Sequence, residues 1–187
     1  MKKKLLNFCR SRSGADNISE ALFCSKKAKL FCFGLLIAAA VTFFDLLTKK
    51  LVFSMLDELE SINPEIQVFD SFSLVKVWNR GVSFGMFNQL ENSQIIFVLL
   101  QGGIGLGLVF WLWCNQKLHF SIALGLIIGG AFGNVIDRLK NGAVADFLDF
   151  HLFGYHWPAF NLADSAVFIG VAILLLDDLI FSKKCLK

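Results

Sequence analysis

The chain has 187 residues, of which 56% are hydrophobic, 18% are charged and 21 are phenylalanine. Soluble domains average about 45–50% apolar and about 25% charged residues, so these proportions, with the apolar residues gathered in blocks, indicate a membrane protein. The net charge is only +3 and the basic residues crowd the two ends, so a nucleic-acid partner is not indicated.

Four apolar runs approach the ~20 residues that a membrane-spanning helix needs, at positions 30–47, 95–113, 120–136 and 166–181. Small residues extend the third run and let helix backbones approach closely within lipid: Gly129, Gly130, Ala131 and Gly133. We expect the glycines from Gly102 to Gly107 in the second run to serve the same kind of contact. The pattern predicts an all-α membrane protein, a compact bundle of four helices without a second domain.

The orientation follows from Lys and Arg, which concentrate at the cytoplasmic ends of membrane helices. They precede the first run and follow the last one, at Lys2, Lys3, Lys4, Arg10, Arg12, Lys26, Lys27, Lys29, Lys183, Lys184 and Lys187. We therefore expect both termini in the cytoplasm and both longer loops outside. Residues 1–29 are predicted to be a mobile basic cytoplasmic tail, and residues 30–187 the membrane-embedded domain.

The cysteines give an independent indication of the same topology. All of them fall on or next to the predicted cytoplasmic side, at Cys9, Cys24, Cys32, Cys114 and Cys185. None lies in the predicted outer loops, where an oxidising compartment would allow pairing. No disulfide is expected.

The first run ends near Asp45, at its predicted outer end. Its position alone leaves two interpretations open: an interfacial carboxylate paired with a nearby lysine, or a functional acid, since charged groups at membrane depth are costly. Residues 51–93 form the predicted main outer loop. Within it, residues 69–84 carry β-branched and aromatic residues in partial alternation, which predicts one or two short strands. Asn79 and Gly81 lie near the end of this segment, where an ordinary hairpin would also explain their presence.

The third run ends in Asn134, Asp137 and Arg138. Asn134 and Arg138 are four residues apart and therefore share one helix face. Asp137 and Arg138 either anchor the helix at the lipid headgroups or belong to a polar cluster that orients a neighbouring site.

The outer connection, residues 139–160, carries Asp146 and many aromatic residues that suit the membrane interface. His151 and His156 are five residues apart, and no cysteine can join them from this side, so their spacing does not favour a metal site. The fourth helix is predicted to start near Asn161, a good N-cap. Asp164 would then lie in its first turn, near the positive end of the helix dipole.

These polar residues gather at the outer ends of three different helices. Five motifs carry them: DLLTK at 45–49, WNRGVSF at 78–84, GGAFGNVIDR at 129–138, VADF at 144–147 and FNLADS at 160–165. Their order and spacing resemble those of the bacterial lipoprotein signal peptidases, the signal peptidase II family, over about residues 30–181. The tail at 1–29 is longer than expected of that family.

The resemblance implies an intramembrane aspartic endopeptidase with four membrane helices and a small extracytoplasmic β-structure. It would remove signal peptides from prolipoproteins, just before a cysteine that carries diacylglycerol, in the bacterial inner membrane. Asp146 and Asp164 match the family's catalytic pair. The residues that match its supporting positions are Asp45, Asn79, Gly81, Asn134, Asp137, Arg138 and Asn161. No cofactor, metal or obligate protein partner is expected beyond the substrate and membrane lipid.

Two neighbouring carboxyls cannot readily both ionise, so one keeps its proton while the other draws a proton from water. We expect Asp164 to be the ionised member, because a helix N-terminus favours negative charge, and Asp146 to be protonated. Three other classes stay open from the residues alone: a transporter or channel component, a metal-dependent membrane hydrolase and a structural membrane subunit.

Overall fold

The computed structural model describes residues 2–59, 61–81, 93–115 and 117–182, with side chains from residue 26 onward except at 93, 178 and 180–182. Within these residues, four helices and four strands follow one another. They are α1 (Lys2–Asp57), β1 (Glu65–Phe69), β2 (Phe72–Asn79), α2 (Ser93–Cys114), α3 (Leu118–Asn141), β3 (Val144–Leu152), β4 (Tyr155–His156) and α4 (Leu162–Ser182).

The helices form where the apolar runs predicted them, and each is longer than its run. α1 begins at Lys2, so the backbone of the predicted tail is helical, and it continues through Asp57 into the predicted outer loop. Three of the described helical segments are long and apolar enough to cross a membrane: Lys26–Asp57, Gln94–Cys114 and Leu118–Asn141. Of the cysteines, the structure describes the side chains of Cys32 and Cys114, which are free thiols.

Small residues on α3 allow α1 and α4 to pack closely against it. A methyl group added at Gly129 would lie 2.6 Å from the carbonyl oxygen of Ala38 on α1, and one added at Gly130 would collide with the carbonyl oxygen of Ala163 on α4. A side chain at either position would force the neighbouring helix to move away, so the glycines permit this close approach. α3 is therefore the central helix of the bundle.

The same role was predicted for the glycines of α2, and that prediction is wrong. Among the described residues, a methyl group at Gly102, Gly103 or Gly107 would meet no atom within 4 Å, and one at Gly105 would make ordinary contact with Phe132. α2 instead presents apolar side chains on both sides: Leu112 is fully buried, whereas Leu99 is 69% exposed. Such a helix, packed on one side only, needs no small residues for close approach.

The strands form one sheet in the order β1-β2-β3-β4, and every neighbouring pair is antiparallel. β2 lies within the segment predicted to form strands, whereas β1 precedes it, and positions 82–84 of that segment lie outside the described residues. β3 was predicted only as a loop. Its residues Ala145 and Phe147 pack against Phe53 at the end of α1, so the sheet rests on the extension of α1 beyond the first apolar run.

Candidate active site

Asp146 lies on β3 and is almost completely buried, with 1% of its surface exposed. Both of its carboxylate oxygens accept hydrogen bonds from amide side chains. Asn79, from the end of the neighbouring strand β2, donates to Oδ2 over 3.0 Å, and Asn161 donates to Oδ1 over 2.7 Å. The pairing of β2 with β3 places Asn79 opposite Val144. This carboxyl is therefore fixed by two donors from different elements.

Asp164 lies in the first turn of α4, as the N-cap prediction required. The Asn161 side chain accepts a hydrogen bond from the backbone N–H of Asp164 over 3.0 Å. The carboxylate of Asp164 accepts in return from the backbone N–H of Asn161 over 3.2 Å. This reciprocal arrangement is a capping box. Asn161 therefore binds both Asp164 and Asp146.

Asn134 on α3 links the two acids. Its Nδ2 donates to Oδ1 of Asp164 over 2.8 Å, and its Oδ1 accepts from Nδ2 of Asn161 over 3.2 Å. Asp146 and Asp164 line one cavity of about 720 Å³. The other residues of its wall that bear on the argument are Asn79, Gly81, Phe97, Leu100, Gln101, Asn134, Arg138, His156 and Trp157.

The electrostatics of Asp146 reflect this enclosure. Burial, and next the neighbouring charge of Asp164, raise the pKa of Asp146 from its usual 3.8 to about 7, against the opposing effect of the Asn79 and Asn161 amides. Burial disfavours the charged form of a carboxyl, and a second carboxylate nearby acts in the same direction. Asp146 therefore holds a proton over most of the acidic range.

Beside the cavity, Lys49 of α1 binds two buried carboxylates. Its Nζ lies 2.6 Å from Asp45 and 2.8 Å from Asp137, and it donates to Oδ1 of Asn134 over 3.1 Å. Asp45 is thus paired with a lysine, as one of its two interpretations predicted, and it is fully buried in the protein. Asp137 is likewise buried inside the protein.

The two carboxylates of this ion cluster also reach the backbone beside the catalytic candidates. Asp45 accepts from the N–H of Ala163, next to Asp164, over 2.9 Å. Asp137 accepts from the N–H of Ala145, next to Asp146, over 3.3 Å. The cluster thus fixes the position of both acids through their neighbouring residues.

Arg138 lines the cavity with Asn134, as their shared helix face predicted. It donates to Gln101 of α2 over 2.8 Å, and its guanidinium lies 5.4 Å from the centre of the Phe97 ring. Gly81 donates its backbone N–H to the side chain of Asn79 over 3.1 Å. Every predicted site residue thus reaches the cavity or the polar network around it, while their roles in catalysis stay predictions.

Two residues of this network were not predicted as site residues by the sequence analysis. Lys49 follows Asp45 by four positions, a spacing that pairs opposite charges on one helix face, so the signal was available. Gln101 is a lone amide within the apolar run of α2, and polar side chains inside membrane helices are typical of function.

An apolar, mainly helical chain that gathers two carboxylates in one cavity has the features expected of a membrane peptidase of the aspartic class. The family model described as Signal peptidase (SPase) II matches residues 37–180. The chain belongs to the signal peptidase II family.

Individual relatives agree with this assignment. The chain is 40% identical to the lipoprotein signal peptidase of Anaplasma phagocytophilum over 66% of this chain and 80% of that protein. It is 47% identical to that of Anaplasma marginale over 64% of this chain and 71% of that protein. A solved bacterial membrane enzyme superposes with a TM-score of 0.65 at 32% identity, over 78% of this chain and 88% of the other. The peptidase prediction is confirmed, in preference to the transporter and structural-subunit alternatives.

Proposed function

We propose that Asp146 and Asp164 are the acid/base pair with which this signal peptidase II cleaves signal peptides from lipoprotein precursors. The assignment of the reaction rests on the family to which the chain belongs. The assignment of residues is carried by one observation: both carboxyls line the same cavity, and Asn161 binds each of them. Paired carboxyls in unlike surroundings are the usual basis of acid/base hydrolysis.

The surroundings of the two acids support different resting states. Burial and the Asp164 charge raise the pKa of Asp146 to about 7, so Asp146 keeps the shared proton. Asp164 lies at the N-terminus of α4, where the helix dipole favours a negative charge. Asp164 is therefore the ionised member and accepts a proton from the attacking water.

The reaction then runs in two proton transfers. Water loses a proton to Asp164 as its oxygen attacks the scissile carbonyl carbon, while Asp146 protonates the carbonyl oxygen. The tetrahedral diol collapses when Asp164 delivers its proton to the amide nitrogen and the C–N bond breaks. A diol proton returns to Asp146, which restores the starting state. Asn79, Asn134 and Asn161 hold the carboxyls in place throughout.

The substrate is a prolipoprotein that carries diacylglycerol on the cysteine directly after the scissile bond. Such a lipid keeps its acyl chains in the bilayer, so the bond is presented beside the membrane. Phe97 and Leu100 of α2 give the cavity an apolar wall, and Leu100 is 57% exposed on the flank of the bundle. Acyl chains can therefore follow an apolar surface from the lipid to the acids.

In this proposal the protein spans the bacterial inner membrane with four helices. α4, with 21 residues, is the fourth span beside the three described above, since ~20 residues cross the hydrocarbon core. The excess of Lys and Arg at both ends supports cytoplasmic termini and a site toward the outer face. Residues 1–29 then form a basic cytoplasmic segment before the embedded domain 30–187. Reporter fusions after residues 58 and 187 test this: only the second should report a cytoplasmic position.

The decisive experiment is cleavage of a diacylglyceryl-modified prolipoprotein by the purified enzyme. Asp146→Asn and Asp164→Asn should each lower kcat by at least ~10²-fold, the usual contribution of a positioned acid or base. Asp70→Asn is the matched control, because Asp70 is an exposed carboxylate in the turn between β1 and β2.

Two further arms separate the proposal from its alternatives. A chelator should not abolish cleavage, and abolition would favour the metal-dependent hydrolase. The same precursor without its lipid should be cleaved much more slowly. Near-normal activity in either Asp→Asn variant would end the assignment of the pair.

A further inference from the structure

A second cluster of titratable side chains lies on β3, outside the peptidase network. Asp149 and His151 are both on the strand face opposite Asp146, because side chains alternate along a strand. His156 joins them from β4. We propose that Asp149, His151 and His156 bind a divalent transition-metal ion of the Zn²⁺ class.

A tight turn brings the two histidines together. Phe153 and Gly154 connect β3 to β4 and both have positive φ, 50° and 82°, as two-residue hairpin turns require. His151 and His156 are consequently direct cross-strand partners. Their rings stack with centroids 4.9 Å apart. In the sequence, the five-residue spacing of the two histidines did not favour a metal site. In the structure, the turn between them makes them neighbours.

Asp149 supplies the third ligand. Its Oδ2 lies 2.7 Å from Nδ1 of His156 and 3.5 Å from Nδ1 of His151, and one ligand atom from each residue lies within 4.8 Å of the others. Donors bound tetrahedrally to Zn²⁺ at ~2.0–2.1 Å are ~3.3 Å apart. The His151 distance already fits. The distance from Asp149 to His156 must increase by ~0.6 Å. The His156 side chain can move by this amount because it is 58% exposed.

Buried polar atoms at the cluster point to a missing ligand. Nδ1 of His151 is buried and has no hydrogen-bond partner among the described residues, and the same holds for Oγ of Ser73. Ser73 is fully buried and is the cross-strand partner of Asp149, so both side chains lie on one face of the sheet. A buried polar atom without a partner costs ~1–3 kcal/mol, and a bound ion with its water ligand would satisfy these atoms.

The donor set selects the class of ion. Two imidazoles and one carboxylate suit Zn²⁺, Ni²⁺ or Cu²⁺, whereas Mg²⁺ and Ca²⁺ prefer oxygen ligands. Three protein ligands leave a fourth position for water. The ion would tie β4, only two residues long, to β3. His156 and Trp157 also line the peptidase cavity, so the ion would fix part of that wall without touching the acids.

Zinc binding is measured on the purified full-length protein with its cysteines alkylated, so that thiolates do not contribute. We expect one Zn²⁺ per chain by equilibrium dialysis. His151→Ala and His156→Ala should each weaken binding by at least ~100-fold, since loss of even an outer partner of a ligand costs ~10–100-fold. His119→Ala is the matched control: His119, on α3, has its own carboxylate partner, Asp177, at 2.8 Å, and its loss should leave binding unchanged.

Limited proteolysis gives a second readout at the hairpin itself. Phe153 and Tyr155 are 92% and 84% exposed, so chymotrypsin can reach them. Zn²⁺ should slow cleavage there at least ~10-fold in the protein without substitutions and not in His156→Ala, because metal binding stabilises the fold that supplies its ligands. Undiminished zinc binding by either histidine variant, no binding at micromolar free zinc, or no protection of the turn would each overturn the proposal. Neither measurement uses peptidase activity, so the outcome is independent of the catalytic pair.

Discussion

Asp146→Asn provides a test that separates the charge of this carboxyl from its packing. The substitution keeps the size of the side chain and removes its ability to ionise. One of its two hydrogen bonds, from Asn79 or from Asn161, is lost, because the new amide group offers only one acceptor. The lost hydrogen bond contributes ~1–3 kcal/mol of destabilisation, and this contribution does not depend on pH.

The dependence of stability on pH should change as well. Folding raises the pKa of Asp146 from 3.8 to about 7, so between these values the folded protein holds a proton that the unfolded chain has released. Stability therefore falls as pH rises through this window, by ~1.4 kcal/mol per pH unit and ~4 kcal/mol in total. An asparagine side chain does not titrate, so the variant lacks this contribution.

Thermal unfolding in detergent, from about pH 4 to about pH 8, measures the difference between the two proteins. We expect the variant to be less stable than the original at the acidic end. As pH rises across the window, the free energy of unfolding of the variant should increase by ~4 kcal/mol relative to that of the original. Asp70→Asn should leave the pH dependence unchanged. A constant difference between Asp146→Asn and the original at all pH values would refute the raised pKa, and with it the resting proton on Asp146.

Three further substitutions test the network around the acids. Lys49→Met leaves two buried carboxylates without their cation, so it should destabilise the protein by ~3–5 kcal/mol, measured by thermal unfolding; a loss below ~1 kcal/mol would contradict the buried cluster. Gly130→Ala should cost ~1–3 kcal/mol and displace the start of α4, whereas Gly102→Ala, in open space, should be neutral; equal melting temperatures would argue against the close α3–α4 contact. Asn161→Ala removes a helix cap worth ~0.5–2 kcal/mol and a donor to Asp146, so kcat should fall well beyond what the stability loss explains; unchanged kcat would contradict its positioning role.

The sequence was sufficient to predict the helices and most residues of the site. Long apolar runs have few alternatives to a membrane helix, and the motif residues at their ends reached the cavity or the polar network around it, as expected. The N-cap at Asn161 was predictable because capping depends on residue type and local position. The capping box with Asp164 extends the same local rule.

Other features depended on contacts between distant segments. β3 was predicted as a loop because its stability comes from pairing with β2 and from packing on Phe53 of α1, neither of which is visible locally. The glycines of α2 and α3 look alike in composition, yet only those of α3 face a neighbouring backbone. Composition indicates that close approach is possible, and only the packing decides which helix uses it.

The location of the polar network explains how two acids on unlike elements can be held in register. Asp146 sits on a strand and Asp164 on a helix. Hydrogen bonds join these elements to the bundle at each junction. Asp137 joins α3 to β3 and Asp45 joins α1 to α4, while Lys49 holds both carboxylates. Because a buried ion cluster tolerates little displacement before it loses its hydrogen bonds, the cluster that supports the site also specifies how the sheet sits on the bundle. Stability and catalytic geometry should therefore fail together when Lys49 is replaced.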